Sequence, residues 1–170
     1  LWYDFRHMTE EDFDGRLYRL FQRGHNEEHT FVEELRGAGV QVHEVNADGE
    51  QYGFKSCAGH VAGHLDGVAK GILEDPQTWH LLEFKTHSAK SFKDLEKRGV
   101  EKSKPQHYAQ MQLYMKWANL TKAFYLSVNK DSDELYSECL NYDVHQAELL
   151  EAKARRIRTR QHAPARAHDK

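Results

Sequence analysis

The sequence predicts an α/β fold in which a mixed central β-sheet is flanked by helices. Segments rich in β-branched and aromatic residues are interspersed with segments whose apolar residues recur at helical spacing. A length of 170 residues suffices for one domain with a substantial core. We expect this domain to span residues 1–160 and a flexible basic tail to follow at residues 161–170.

The predicted elements follow from local signals. Thr9, which precedes three acidic residues, is typical of a helix N-cap. Glycines at 37 and 39 are expected to end the second helix, and Pro105 to open a long one. The predicted helices are one that begins after Thr9 and others at residues 24–36, 88–98, 105–118 and 143–160. The predicted strands are residues 40–45, 51–55, 61–72, 79–85, 123–129 and 134–140.

Composition excludes several classes of protein. With 39% hydrophobic and 30% charged residues and three prolines, the chain is not collagen-like, mucin-like or wholly disordered. Two cysteines, Cys57 and Cys139, are too few for a disulfide framework or an iron–sulfur cluster. No apolar run approaches the roughly 18 residues of a membrane span, and no secretory signal is present. We therefore expect a cytoplasmic protein without membrane association. The chain starts at Leu1 rather than Met, which suggests that an upstream segment has been removed.

Charged residues appear where a strand should be apolar. Glu83 and Lys85 end the predicted strand 79–85, on the same face as Trp79 and Leu81, because side chains alternate along a strand. Asp66 interrupts another apolar stretch, and a carboxylate in such a place is costly without a cation nearby. If the two strands are neighbours, both carboxylates reach one divalent metal.

Oxygen ligands favour Mg²⁺ or Mn²⁺ over zinc. Lys85 would lie beside the metal and orient or help to deprotonate an attacking water. The alternative is a surface pair between Glu83 and Lys85, worth under about 1 kcal/mol. Zinc is not expected, because the twelve histidines, including His60 and His64, show no zinc-finger spacing. His87, close to Lys85 in sequence, is a further candidate for contact with a phosphate.

The predicted helix 105–118 carries a polar and aromatic stripe. Its members are Gln106, Gln110, Tyr114 and Trp117. Such a stripe can donate hydrogen bonds to phosphates and bases and offer rings for stacking. The alternative is an ordinary amphipathic helix that is buried through Tyr108, Met111 and Met115.

The net charge of −3 conceals an uneven distribution. Residues 1–50 hold twelve acids against five bases, whereas residues 85–130 hold ten lysines and arginines against three acids. A basic segment between the Glu-x-Lys strand and the long helix can follow a DNA backbone, although a solvated helix is the alternative. The lysines that we expect to contact DNA are Lys90, Lys93, Lys102 and Lys104.

Four segments together resemble the PD-(D/E)XK nuclease superfamily, and most closely its RecB-type and lambda-exonuclease-like (YqaJ) branch. They are Arg23-Gly24-His25-Asn26-Glu27-Glu28, Gly63-His64-Leu65-Asp66-Gly67, Glu83-Phe84-Lys85 and Gln110-Met111-Gln112-Leu113-Tyr114. The resemblance covers residues 23–117. It implies a restriction-endonuclease-like αβββαβ core.

The resemblance also implies roles for individual residues. Asp66, Glu83 and the backbone carbonyl of Phe84 would bind metal, and Glu28 would complete the site, with His29 as the second choice. Lys85 would serve the water, and two residues of the long helix would contact or brace the DNA end. These two residues are Gln110 and Tyr114. Members of the branch that carry an iron–sulfur cluster need four cysteines, so no cluster is expected here.

The function that the resemblance implies is a Mg²⁺-dependent DNA exonuclease that works from duplex or single-stranded ends and leaves 5′-phosphates. Recombination or repair, as in a phage, is the expected setting, with a homo-oligomer and a recombination or annealing protein as possible partners. A structure-selective or nicking endonuclease on the same fold is one alternative. A catalytically idle nucleic-acid-binding module is another.

Overall fold

A computed structural model describes residues 14–162 of the chain. The N-cap predicted at Thr9 and residues 163–170 of the predicted tail lie outside the described residues. The first described helix, α1 (Gly15–Gly37), begins after Asp14, whose carboxylate accepts a hydrogen bond of 2.8 Å from the Leu17 amide. This helix continues through Gly24, so the prediction of a separate helix at residues 24–36 is wrong. One glycine without a neighbouring stop signal is tolerated inside a helix.

A five-stranded sheet forms the centre of the fold. The strand order is β1-β4-β5-β6-β7, and β5 and β6 are parallel whereas the other neighbouring pairs are antiparallel. The strands of this sheet are β1 (Gln41–His43), β4 (Gly67–Lys70), β5 (His80–His87), β6 (Lys122–Asn129) and β7 (Leu135–Asn141). The mixed sheet with flanking helices confirms the predicted fold class.

Two helices make the crossover that a parallel strand pair requires. They are α2 (Ala89–Ser103) and α3 (Pro105–Ala118), which lie between β5 and β6 in the chain. Helix α2 is longer than predicted and bends at Gly99, whose φ of 71° is in the left-handed region. A last helix, α4 (Val144–Thr159), contacts α3. None of the described helices is long and apolar enough to cross a membrane.

The prediction of a single strand over residues 61–72 is wrong. Residues Val61–His64 form β3, which pairs with β2 (Gly53–Ser56) in a separate two-stranded sheet, whereas β4 belongs to the main sheet. Between them, the Leu65 amide donates to the Tyr52 carbonyl over 2.9 Å. Because the strand stops there, His60, His64 and Asp66 do not share one strand face, as a zinc site on a continuous strand would require.

The sheet has an apolar core on each face. Phe31 and Val32 of α1 pack on the face that carries Leu82 and Phe84 of β5. The opposite core contains Leu81 of β5 together with a second set from the helices and β6. That second set includes Leu95, Met111, Met115 and Tyr125. By strand alternation, Glu83 and Lys85 lie on the same face as Leu81, which α3 covers.

Candidate functional site

Asp66 and Glu83 meet through the backbone of β5. The break between β3 and β4 places Asp66 beside the end of β5, where its Oδ2 accepts a hydrogen bond of 2.7 Å from the Phe84 amide. Burial raises the pKa of Asp66, and the charge of Lys85 acts against this rise. The sequence-based expectation that Asp66 and Glu83 come from adjacent segments thus describes the geometry, although the route of the chain differs.

Glu83 is an almost completely buried carboxylate, with 1% of its surface exposed. Its Oε1 lies 2.6 Å from Lys85 Nζ, and its Oε2 accepts a hydrogen bond of 3.0 Å from Gln110 Nε2. Burial raises the pKa of Glu83 to about 7; the Lys85 ammonium opposes this effect, and the charge of Asp66 adds to it. A carboxylate that burial destabilises in this way has a strong electrostatic demand for cations.

The Lys85 ammonium supplies such a cation. Its Nζ donates a hydrogen bond of 3.0 Å to the Phe84 carbonyl while it pairs with Glu83. Burial acts to lower the pKa of Lys85, but the charges of Glu83 and Asp66 outweigh burial, so the pKa lies above its usual value. The ammonium therefore stays protonated and bridges two of the oxygens that the sequence resemblance assigns to a metal.

This arrangement bears on whether a divalent metal fits. Within residues 14–162, no group of three or more carboxylate, imidazole or thiol side chains is arranged to hold an ion. Two carboxylates and one carbonyl nevertheless lie together, and a cation already bridges Glu83 and the Phe84 carbonyl. Mg²⁺ is commonly bound through one or two carboxylates and keeps several waters. The donor set therefore fits Mg²⁺ or Mn²⁺ and offers no sulfur or imidazole to zinc.

A small pocket of about 160 Å³ opens between α1 and the end of β5. Glu28 lines it together with Glu27, Phe84 and Lys85, whereas His29, the second choice for the same role, is exposed and does not line it. Glu28 is 40% exposed and lies 3.3 Å from His25 Nδ1. Its charge contributes to the raised pKa values of Asp66 and Glu83, so the three carboxylates belong to one electrostatic cluster.

Helix α3 presents its polar stripe to this cluster. Gln110 contacts Glu83 directly, and Gln106, one turn earlier, is exposed. Tyr114 is buried, and its hydroxyl lies against Gly63 of β3 so closely that a Cβ at residue 63 would be 1.8 Å from it. The stripe therefore joins the cluster at Gln110 and supports the β2–β3 hairpin at Tyr114.

The four lysines predicted to contact DNA have different environments. Lys90, Lys93 and Lys102 are exposed on α2. Lys104 is half-buried, and its Nζ donates to the Ser91 carbonyl over 3.0 Å and to Ser103 Oγ over 2.7 Å. The ammonium of Lys104 thus joins the start of α2 to the α2–α3 junction.

The structure contains a polar chain that sequence reasoning did not foresee. The Tyr125 hydroxyl lies 2.8 Å from His87 Nε2 and 3.0 Å from His107 Nδ1, and the Ser91 hydroxyl lies 3.3 Å from His87 Nδ1. Burial is the main cause that lowers the pKa of both histidines to about 4. His87 is 8% exposed, and its ring nitrogens lie beside Tyr125 and Ser91. Contact between His87 and a phosphate stays a prediction. The sequence signal that could have placed His87 among buried groups is that it follows Lys85 on the same strand face.

No family model matches this sequence, and no curated protein matches it. Solved structures do match the fold. LHK-Exo, an alkaline exonuclease from Laribacter hongkongensis, has a TM-score of 0.58 at 18% identity over 89% of this chain and 71% of that chain. LHK-Exo in complex with dAMP has a TM-score of 0.59 at 19% identity with the same coverage. SSO0001 has a TM-score of 0.50 at 16% identity, over 81% of this chain and 60% of that chain. These matches show that the fold of this chain is similar to that of an alkaline exonuclease.

Proposed function

We propose that this protein is a metal-dependent DNA nuclease that removes nucleotides from DNA ends and leaves 5′-phosphates. The observation that carries the proposal is the buried Glu83 carboxylate, which shares a cation with the Phe84 carbonyl beside Asp66. The fold likeness to an alkaline exonuclease, which has itself been seen with dAMP, supports an exonuclease rather than another phosphodiesterase. Recombination or repair of phage type is the setting that we propose.

In this proposal, Asp66, Glu83 and the Phe84 carbonyl hold Mg²⁺ or Mn²⁺, with Glu28 at the edge of the site. When bound, the metal supplies Lewis-acid stabilisation of the phosphate and a lowered pKa for an attacking water. Gln110 holds Oε2 of Glu83, which fixes the orientation of that carboxylate. The protein thus provides a preorganised set of oxygens, of which those of Glu83 are almost completely buried.

Lys85 has a second task in the same proposal. If Asp66, Glu83 and the Phe84 carbonyl held a metal, the Lys85 ammonium, which contacts two of these oxygens, would be available to orient the attacking water or to bind a phosphate oxygen. The charges of Glu83 and Asp66 raise the pKa of Lys85, which favours a positioning role over proton acceptance.

DNA is held by groups outside the metal cluster. The exposed ammonium groups of Lys90, Lys93 and Lys102 are available to phosphates, and Gln106 is exposed at the start of α3. Tyr114 acts by bracing the β2–β3 hairpin, and Lys104 by holding the α2–α3 junction. A homo-oligomer would add DNA contacts that one chain lacks, and an annealing or recombination protein would receive the strand that remains.

The test uses end-labelled linear duplex, linear single strand and closed circular DNA, each with Mg²⁺, with Mn²⁺ and with EDTA. We expect metal-dependent loss of the linear substrates and an intact circle. Asp66→Asn and Glu83→Gln should abolish the activity, whereas Glu148→Gln, on the exposed surface of α4, should retain it. Cutting of the circle would assign an endonuclease instead. If wild-type protein leaves all three substrates intact, the enzyme proposal fails and the idle binding module remains.

A further inference from the structure

A second pocket, which we call the aromatic pocket, lies at the β1 edge of the main sheet. It has a volume of about 390 Å³, and its rings come from three separate parts of the chain: His43 of β1, Tyr52 before β2, and Trp79 before β5. The rings of His43 and Trp79 are tilted at 46° to each other with centroids 5.4 Å apart. The proposed nuclease chemistry uses none of these residues.

The aromatic pocket shares a face of the sheet with Glu83. His43 pairs with Val68 of β4, and Val68 pairs with Leu81 of β5, so these three side chains lie on one face. Trp79 and Glu83 lie on that same face by alternation, and four residues of strand separate them by about 13 Å. Val68 is two residues from Asp66, a separation of about 7 Å along an extended chain. The pocket is therefore within a few nucleotides of the carboxylate cluster.

The lining selects an uncharged and flat group. Its lining consists of the imidazole of His43, two further aromatic rings, three small apolar side chains and the carboxamide of Asn46, with no carboxylate, ammonium or guanidinium group among them. The Asn46 Oδ1 accepts hydrogen bonds from the Asp48 and Glu50 amides over 2.9 and 3.0 Å, which fixes the carboxamide at the edge of the pocket. A nucleobase, which has a neutral ring with hydrogen-bonding edges, matches the lining, whereas a phosphate does not.

We propose that the aromatic pocket binds one nucleobase of the DNA strand whose backbone passes the Asp66–Glu83 cluster. This inference rests on the proposed nuclease function for the identity of the ligand. DNA rises 3.4 Å per nucleotide in a duplex, so about 13 Å corresponds to about four stacked nucleotides, and to fewer in an extended strand. The pocket holds the strand a fixed number of nucleotides from the scissile phosphate, through stacking on Trp79 and Tyr52.

The test scans a single-stranded oligonucleotide with one abasic nucleotide at each of the four positions on either side of the scissile phosphate. Affinity is measured in EDTA, so that binding is read without hydrolysis. We expect one position to weaken binding by wild-type protein roughly 5- to 150-fold, the range for one lost base–aromatic stack. Trp79→Ala should lose this positional penalty, and Trp79→Phe, which keeps a ring, should retain most of it.

A spectroscopic measurement separates stacking from a folding defect. Replacing the identified base with 2-aminopurine should give emission that is quenched by wild-type protein and Trp79→Phe, but not by Trp79→Ala. Two results would overturn the inference and leave the nuclease proposal standing. The first is an equal loss of affinity at every abasic position. The second is a positional loss that is the same in Trp79→Ala as in wild-type protein, when the two proteins have the same urea midpoint. If one abasic position weakens binding but the protein cleaves no DNA, the nuclease proposal fails and the base-binding inference stands. If no oligonucleotide binds, the inference about the aromatic pocket fails, and the nuclease proposal is decided by its own cleavage assay.

Discussion

At the scale of single residues, the chemistry of the site depends on where one lysine puts its charge. Lys85 Nζ lies 2.6 Å from Glu83 Oε1 and 3.0 Å from the Phe84 carbonyl. An unpaired buried carboxylate is costly, so this ammonium stabilises the folded protein. A metal held by these oxygens, as proposed, would displace a cation that the protein itself provides.

Lys85→Met should therefore bind Mn²⁺ more tightly than wild-type protein in the absence of DNA. Removal of the ammonium frees two oxygen ligands and leaves the charges of Asp66 and Glu83 uncompensated, and we expect an increase in affinity of about tenfold, or ~1.4 kcal/mol. Isothermal titration calorimetry with MnCl₂ measures this directly. Lys116→Met, which removes a half-buried lysine paired with Glu151 on α3 and α4, is the matched control and should leave the affinity unchanged. Equal or weaker binding by Lys85→Met would show that the ammonium does not compete with metal.

Gly63 is a residue where the absence of a side chain is required by space. A Cβ there would lie 1.8 Å from the Tyr114 hydroxyl and 2.6 Å from its Cζ. Gly63→Ala should therefore lower the free energy of unfolding by about 1–3 kcal/mol, the usual cost of overpacking. Gly24→Ala, in the interior of α1 with open space around it, should be neutral or stabilising by up to about 1 kcal/mol.

Urea denaturation monitored by circular dichroism compares these two glycine variants. In the Tyr114→Leu background, Gly63→Ala should lower the free energy of unfolding by less than it does in wild-type protein, because the smaller side chain leaves room for the added methyl group. If Gly63→Ala costs as little as Gly24→Ala, the hairpin can move away from α3 without penalty and Tyr114 does not brace it.

At the scale of elements, the bend in helix α2 is stabilised by a residue from a strand of the main sheet. After Gly99 the helix resumes, and the amide of Val100 donates a hydrogen bond of 2.8 Å to Glu138 Oε2 of β7. The same oxygen accepts a hydrogen bond from the Tyr136 hydroxyl. Glu138 thus acts as a cap supplied by a different strand, and it fixes the last turn of α2 against the sheet.

Glu138→Ala should lower the free energy of unfolding by about 1–2 kcal/mol, because a helix cap is lost and the Val100 amide is left without its partner. Glu148→Ala on the exposed face of α4 should change it by less than about 0.5 kcal/mol. Urea midpoints of the two variants at constant slope give the comparison. Equal midpoints would mean that the bend at Gly99 is held by packing alone.

At the scale of the whole molecule, the parts that sequence predicted well are those with local signals. Strands at 79–85 and 123–129 and the helix at 105–118 correspond to β5, β6 and α3 within a few residues. Their β-branched composition, alternation and opening proline depend only on near neighbours. The Glu83–Lys85 pair was likewise visible as two charges on one strand face.

Other features depend on contacts between distant segments. The break at Asp66 exists because β3 pairs with β2, whereas β4 pairs with β1 and β5. Residues 65–67 carry no local signal that the strands on either side of them pair with different strands. Gln110 was predicted to contact or brace the DNA end, which stays a prediction, and its hydrogen bond to Glu83 on another element was not foreseen. The two histidines on Tyr125 come from β5 and α3 and meet only in the folded chain.

These two histidines make global stability depend on pH. The pKa of His107 is lowered to about 4 by burial, followed by the charge of Lys85 and smaller effects of His87 and Lys104. A histidine with a depressed pKa in the folded state binds protons mainly in the unfolded state, so its contribution to stability is complete above about pH 6.5. This contribution is lost as the pH falls from about 6.5 toward 4, by up to about 1.4 kcal/mol per pH unit.

His107→Gln isolates this effect. Because the pKa of Glu83 is raised to about 7, this residue increases the free energy of unfolding over the same fall in pH. The quantity to measure is therefore the difference in free energy of unfolding between variant and wild-type protein. Glutamine can still hydrogen-bond to the Tyr125 hydroxyl but does not titrate. Between pH 7 and 5, we expect the wild-type free energy of unfolding to fall relative to that of the variant by roughly 1–2 kcal/mol. Parallel curves from urea denaturation would mean that His107 is protonated in the folded protein without disrupting its bond to Tyr125.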